Sequence, residues 1–363
     1  MSLTAAPSPL ALTVETTATD IWNDSCAVDE LRYALANGAT GATANPTIVH
    51  DVWKADPARW SAVVVELGKA NPTWSERELA WAVVAAMSVE AARLLGPVFE
   101  AWNGRKGRLS IQTDPTLFRD ADRLVDQAAA FDRLAPNVIV KLPATRAGLT
   151  AMEEASYRGI SVNATVSISV AQAVAAAEAV ERGLARREAA GLPTGTMGPV
   201  VTLMMGRLED WLRVVTERDG VVVDPAALPW SGVAAFKQAY SIFRGHGFRA
   251  RLLGAAIRHH LHWSELIGGD VILTLPAAWQ RRFNASAVDV RPRIDDPVDP
   301  AVIRELLDGF PDFGRAYEPH GLSIDEFDTW GPTARTLRAF VASYHDLLHA
   351  VSDALVPSPD RAA

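Results

Sequence analysis

The chain has 363 residues, of which 49% are apolar and 21% charged, and its formal net charge is −8. That length and apolar content suit one large α/β barrel with additions, or two ordinary domains, each able to bury a sizeable core. The acidic balance and the lack of a basic stripe exclude non-specific nucleic-acid binding, and no stretch nears the ~18 uninterrupted apolar residues of a membrane span.

Residues 1–17 are rich in Ala, Ser, Thr and Pro and read as a loose tail without the basic and apolar blocks of a signal peptide. Thr19 to Asn23 reads as a strand, and Ala27 to Asn37 as a helix stopped by Gly38. Ala39 to Ala44 is a small-residue strand running into Asn45-Pro46-Thr47, followed by helices over 46–70 and 75–95. Leu109 to Thr113 is a strand, and Asp114-Pro115 turns the chain into a helix over 119–134. Val138 to Leu142 has the composition of a strand buried on both faces, ended by Pro143. A helix over 146–157, a strand over 160–164 and an amphipathic helix over 168–189 follow. Strands over 200–204, 252–257 and 271–275 alternate with helices over 206–218, 233–245 and 261–267. Residues 285–300 read as a linker, and a helix over 333–356 presents Leu337, Phe340, Tyr344, Leu348 and Val351 at helical spacing.

Eight strands alternating with helices predict right-handed βαβ units and a closed (β/α)8 barrel over 18–284. Residues 285–363 would then be a linker and a helix clamped on that barrel. An open doubly wound sheet is the rival, weakened because no G-x-G-x-x-G follows the first strand. Cys26 is the only cysteine, so an internal disulfide and a cysteine zinc cluster are excluded and a reducing cytoplasm is expected.

In a parallel barrel the chemistry gathers at the strand C-termini. The residues there are Asp24, Asn45, Gln112, Lys141, Asn163, Thr165, Thr202, Arg207 and Arg258. A lysine in an apolar strand must be paired or lose its proton, and a neutral lysine attacks carbonyls. With a carboxylate for proton transfer, amides and hydroxyls for sugar hydroxyls, and guanidiniums for a phosphate, the set contains the parts of Schiff-base aldol chemistry on a phosphorylated sugar. Plainer roles exist for some. Asn45 precedes a proline and suits a turn, Asp24 could cap the helix near Ala27, and Arg207 could pair with Glu209 or Asp210.

Five segments in order resemble the transaldolase family: Ile21-Trp-Asn-Asp-Ser25, Gly41-Ala-Thr-Ala-Asn-Pro-Thr-Ile48, Leu109-Ser-Ile-Gln-Thr-Asp-Pro115, Val140-Lys-Leu-Pro-Ala-Thr145 and Gly159-Ile-Ser-Val-Asn-Ala-Thr165. The resemblance implies that Lys141 forms the Schiff base and Asp24 moves the carbinol proton. It places Asn45, Asn163 and Thr202 on the hydroxyls of a dihydroxyacetone unit, and Arg207 and Arg258 on the phosphate. It implies a transferase of the pentose phosphate pathway or related carbohydrate metabolism, acting on ketose and aldose phosphates such as sedoheptulose 7-phosphate and fructose 6-phosphate. No metal or organic cofactor, nucleic acid or membrane partner is expected, and the chain would be a monomer or homodimer.

Two departures stand out. Gln112 occupies a position where most transaldolases carry Glu, whose acid is thought to work through a water shared with the hydroxyl placed here at Thr165. Met204 stands where the small aldolases of the superfamily place a tyrosine. Gln112, which the small aldolases share, favours as a second reading an aldolase of the fructose-6-phosphate type or a specialised sugar aldolase, whereas Met204 departs from that branch as well. A third reading is a non-catalytic sugar-phosphate-binding barrel. His259, His260 and His262 lack an acid at i+4 and are expected to contact substrate or pack, rather than hold a metal.

Overall fold

The computed structural model describes residues 6–357. The elements in chain order are α1 (Pro9–Thr16), β1 (Asp20–Asn23), α2 (Val28–Ala36), β2 (Gly41–Thr43), α3 (Pro46–Ala55), α4 (Pro57–Ala70), α5 (Glu76–Ala101), β3 (Arg108–Gln112), α6 (Ala121–Asp132), β4 (Val138–Pro143), α7 (Arg146–Tyr157), β5 (Val162–Thr165), α8 (Val170–Ala189), β6 (Val200–Leu203), α9 (Met205–Asp219), α10 (Trp230–His246), β7 (Arg251–Gly254), α11 (Leu261–Ser264), β8 (Ile272–Leu275), α12 (Ala277–Asn284), α13 (Pro300–Gly309), α14 (Pro311–Tyr317) and α15 (Gly331–Leu355). All eight strands pair in parallel with their sequence neighbours, and β8 closes on β1, giving the expected (β/α)8 barrel. Apolar strands sandwiched between an inner core and a helical ring have no open edge to protect.

Two cores result. The strand residues that face the helices merge with the helical layer into one large cluster. A separate inner cluster holds Trp22, Ile139, Val200, Leu253, Ala255 and Ile272. Strand side chains alternate faces, so residues two further along each strand continue the inner wall toward the C-terminal mouth.

The loose tail expected over 1–17 is corrected over part of its length. Residues 9–16 form α1, whose N-cap Ser8 accepts from Ala11 N–H. Leu10 is fully buried, and its backbone N–H donates to Asn284 on α12. The Ala/Pro-rich composition hid a Ser-Pro helix start, where Pro sits at the one position that needs no N–H. Residues 1–5 of that stretch lie outside the described residues. By length and composition α5 alone among the described helices could cross a membrane; here it packs on β3, α2, α4 and α15. Its capping box, Ser75 with Glu78, fixes its start, and it runs through Pro97 beyond the end expected at 95. Helices α13 and α14 fall after the expected linker. Helix α15 buries Thr333, Thr336, Leu337, Phe340, Tyr344, Leu347 and Val351, largely against α3, α4 and α5.

Candidate active site

Lys141 lies two residues beyond Ile139 on β4, Asp24 two beyond Trp22 after β1, and Thr202 two beyond Val200 on β6. Alternation therefore turns all three inward, above the inner apolar plug. Gln112 and Asn163 are the registered neighbours of Lys141 on β3 and β5, so they share its face.

Lys141 is 3% exposed. Among the described residues its Nζ makes no hydrogen bond and no ion pair, which leaves a buried ammonium nothing to lean on. Burial pushes its pKa down from 10.5, and the nearby Asp24 charge offsets only part of that. Asp24 shows the opposite shift. Burial pushes its carboxyl up from 3.8, against the pull of Lys141, a hydrogen bond from Thr43, and the charges of Arg207 and Arg258. Thr43 Oγ1 donates to Asp24 Oδ1 at 2.6 Å and also lies 2.9 Å from the Thr274 hydroxyl. Asp24 does not cap the helix near Ala27, whose N-cap makes no side-chain bond. A lysine pushed toward neutral and a carboxyl pushed toward its acid range thus share one wall, the arrangement an acid/base–nucleophile pair requires.

The amide and hydroxyl groups divide into committed and free donors and acceptors. Asn163 Nδ2 donates to Ser110 Oγ at 3.0 Å, and Thr202 Oγ1 donates to Asn163 Oδ1 at 2.8 Å, so the Asn163 amide is held from both ends. Gln112 Oε1 is buried without a partner, an acceptor left open. Thr165 is fully buried, and its hydroxyl has only Met204 Sδ, at 4.0 Å. Asn45 caps α3, accepting from Ile48 N–H at 3.0 Å. Its turn role is real, and its amide nitrogen makes no hydrogen bond among the described residues.

The two arginines differ. Arg258 is tied side-on to Asp210, with Nε and Nη2 donating to its two oxygens at 2.9 and 2.7 Å. That bond, more than burial opposes, raises its pKa. Among the described residues Arg207 has no carboxylate partner, and its buried Nε has no acceptor. Burial, then the charges of Arg258 and Arg335, push its pKa down. The pairing of Arg207 with Glu209 or Asp210 does not form, because both acids turn to the β7 loop. An unpaired, partly buried guanidinium beside two others is a ready anion site.

Gly206 fixes this geometry. A Cβ there would lie 1.8 Å from the Ala256 carbonyl oxygen, so only glycine lets the first turn of α9 touch the β7 loop. Gly206→Ala is expected to lower stability by about 2–4 kcal/mol and to raise KM for a phosphorylated substrate more than it lowers kcat, read by denaturant unfolding and steady-state kinetics. Gly148, in the first turn of α7, is packed as tightly, with Pro143 O at 1.7 Å from a built Cβ.

The histidines meet an acid from another element. His259 Nε2 lies 2.9 Å from Glu209 Oε2, and His262 Nε2 lies 3.8 Å from the same oxygen. The three ligand-type atoms fall within 4.8 Å of one another. Burial, with the charges of His259 and Arg258, drives the His262 pKa well below 6.5. The ring is neutral, and its Nδ1 accepts from Arg258 N–H at 3.3 Å. The single ring proton therefore sits on Nε2, facing Glu209, where a metal would need a lone pair. This fits an anchor for the backbone of Arg258. Glu209 itself is buried, and the bonds from His259 and Arg213 outweigh burial and hold its pKa low.

Cavities of about 670, 720 and 730 Å³ lie elsewhere: at the N-terminal barrel end around Arg108 and Arg251, beside α10, and between α7 and α8. Their arginines are mostly spoken for by carboxylates or carbonyls, as with Arg251 on Asp20 and Arg249 on Glu181. Perturbed, unpaired groups mark the C-terminal mouth instead. Sequence reasoning missed Thr43, Ser110 and Thr274, which orient Asp24 and Asn163. Their period-2 spacing from inner-wall positions was the available signal.

A family model described as transaldolase/fructose-6-phosphate aldolase matches residues 21–350. The chain is 29% identical over 285 residues to a transaldolase of Thiobacillus denitrificans, covering 70% of this chain and 78% of that one. It is 28% identical over 323 residues to a transaldolase of Neisseria gonorrhoeae, covering 80% and 90%. It is 38% identical over 181 residues to the transaldolase 1 of Streptomyces avermitilis, an alignment spanning 48% of each chain. The chain belongs to the transaldolase/fructose-6-phosphate aldolase family and is a transaldolase-like enzyme.

Proposed function

We propose that this protein moves a dihydroxyacetone unit from a ketose phosphate to an aldose phosphate through a Schiff base on Lys141. The observation that carries the reading is the inward-facing Lys141 amine, buried and without a hydrogen-bond acceptor, opposite a carboxyl pushed up by the same burial. The neutral amine adds to the ketone carbon, and loss of water leaves an iminium. Asp24 takes the proton from the carbinol hydroxyl next to the scissile C–C bond. The bonding electrons pass into the iminium as an enamine, and the aldose phosphate departs. The enamine then attacks an acceptor aldehyde, Asp24 returns its proton to the new hydroxyl, and water releases the product. Asn45, Asn163 and Thr202 would hold the hydroxyls, and Arg207 and Arg258 the phosphate. Gln112 and Thr165 would hold the water used in iminium formation and hydrolysis. A cytoplasmic monomer or homodimer completes the reading; the buried free thiol of Cys26 accords with a reducing compartment.

Borohydride reduction in the presence of fructose 6-phosphate, followed by intact mass measurement, tests it. A covalent adduct mapped to Lys141 is expected, and no adduct with any ketose phosphate would overturn the proposal. The open Gln112 acceptor favours a second reading, net aldol cleavage or addition with a free three-carbon ketone, because an amide positions water without ionising. Comparing product formation with and without an aldose phosphate acceptor separates the two.

A further inference from the structure

Three guanidiniums, not two, converge at the mouth. The third comes from outside the barrel, on the first turns of α15. We propose that Arg335 is a specificity-determining residue that completes the anion site begun by Arg207 and Arg258, so that the C-terminal extension supplies part of the recognition of a phosphate monoester. The inference rests on the reading of Arg207 and Arg258 as phosphate ligands.

The start of α15 is seated on the catalytic end of the barrel by bonds that serve no other evident purpose. Gln172, fully buried on α8, donates through Nε2 to Thr333 Oγ1 at 3.2 Å. The same nitrogen reaches the carbonyls of Val166 and Ala144, in the loops that follow Thr165 and Lys141. Trp330 and Trp211 both donate their indole N–H groups to Asp312, joining the start of α15 to α9 and α14. At Gly331 a Cβ would lie 2.3 Å from the Trp211 ring, so that register leaves no slack. Arg335 follows directly. Its Nη1 makes one long bond, 3.5 Å, to the backbone oxygen of Asp210, the residue whose carboxylate holds Arg258. It has no carboxylate partner of its own among the described residues. Its charge is also felt by Arg207.

Among the described residues only Arg258 of the three is bonded to a carboxylate, Asp210, although the charges of Glu209 and Asp24 also reach Arg258. The two guanidiniums without a carboxylate partner suit a phosphate monoester, which carries about −1.5 to −2 at neutral pH. Arg258 offers the second Nη2 hydrogen and an Nη1 that already reaches the Ile257 carbonyl at 3.1 Å, and Arg207 offers its unpaired buried Nε. Arg335 is exposed and would close over the anion from the solvent side. A rim cation of this kind sorts phosphorylated from unphosphorylated sugars, chiefly through KM.

Arg335→Ala is expected to raise the dissociation constant for inorganic phosphate, followed by ³¹P NMR titration, by about three- to tenfold. It is expected to raise KM for fructose 6-phosphate by a similar factor, with kcat unchanged and with any turnover of unphosphorylated fructose unaffected. Arg335→Lys should recover part of the loss. Arg338→Ala, an exposed arginine one turn on, serves as the control and should change neither. Equal phosphate affinity in wild type and Arg335→Ala, equal loss in the Arg338 control, or equal weakening of fructose and its phosphate would each overturn the proposal. Phosphate binding needs no amine at position 141. A protein that binds phosphate through Arg335 yet forms no borohydride adduct would refute the Schiff-base reading and leave this one standing.

Discussion

Lys141→Met is expected to abolish the borohydride adduct, to lower turnover by roughly 10⁴-fold or more, and to leave a more stable protein. The loss follows because no other lysine among the described residues lies on the inner face of a strand. The gain in stability follows from the state of the native lysine, a buried residue whose Nζ makes no hydrogen bond or ion pair among the described residues. Methionine has similar length and no charge to desolvate, and it should add about 1–3 kcal/mol, the range for removing an unsatisfied buried polar group. Burial lowers the folded pKa of Lys141 below the 10.5 it has when unfolded. Between those two values the unfolded chain binds more protons, so wild-type stability rises with pH there. Below the lowered value the penalty is fully present. The advantage of methionine should therefore be largest on the acid side of that value and fade as the pH approaches 10.5. Urea unfolding of both proteins at several pH values measures this. If the substitution destabilises at every pH, the lysine is held by interactions that burial and hydrogen bonding do not reveal, and its neutral form loses its support.

The barrel was legible because βα alternation and apolar strands report on local chemistry. Each predicted strand is present, with ends displaced by one to three residues where small residues flank the ladder, as at Gly41–Thr43. The ring of site residues was legible for the same reason, since strand ends in a parallel barrel share one face. What surrounds that ring was not. The partnership of Asp210 with Arg258 spans 48 positions, and that of Glu209 with His259 spans 50. No local pattern connects them, and an i,i+4 search for an acid near the histidines finds none. Backbone strain was equally silent. Val166 and Ala256 take φ values of +53° and +62°, conformations disfavoured for side chains with a Cβ and costing of order 1–3 kcal/mol each. They follow β5 and β7, beside Thr165 and Arg258, and are held by the hydrogen-bonded loops around them. The role of α15 depended on where the 285–330 segment delivers it, which composition does not encode.

Asp24→Asn is expected to lower turnover by about 10²–10⁴-fold while the trapped adduct on Lys141 persists or accumulates. The amide keeps an oxygen for the Thr43 hydroxyl, so the side chain should stay in place. It can no longer accept the carbinol proton, and cleavage of the C–C bond stalls after the iminium has formed. Removing the carboxylate also removes the one charge that props up the Lys141 pKa, which favours the neutral amine and hence adduct formation. In the wild type the carboxyl must be ionised to act as base. Burial raises its pKa above 3.8, so kcat should fall as the pH drops through that raised value, and the variant should lack this limb. Stability should move with it. Folded Asp24 holds its proton to higher pH than unfolded Asp24, so its ionisation destabilises as pH rises, and the asparagine variant should gain most above the raised pKa. Turnover within about tenfold of wild type would assign the proton to the Gln112–Thr165 water instead. An adduct lost together with turnover would mean that Asp24 acts earlier, in forming the iminium itself.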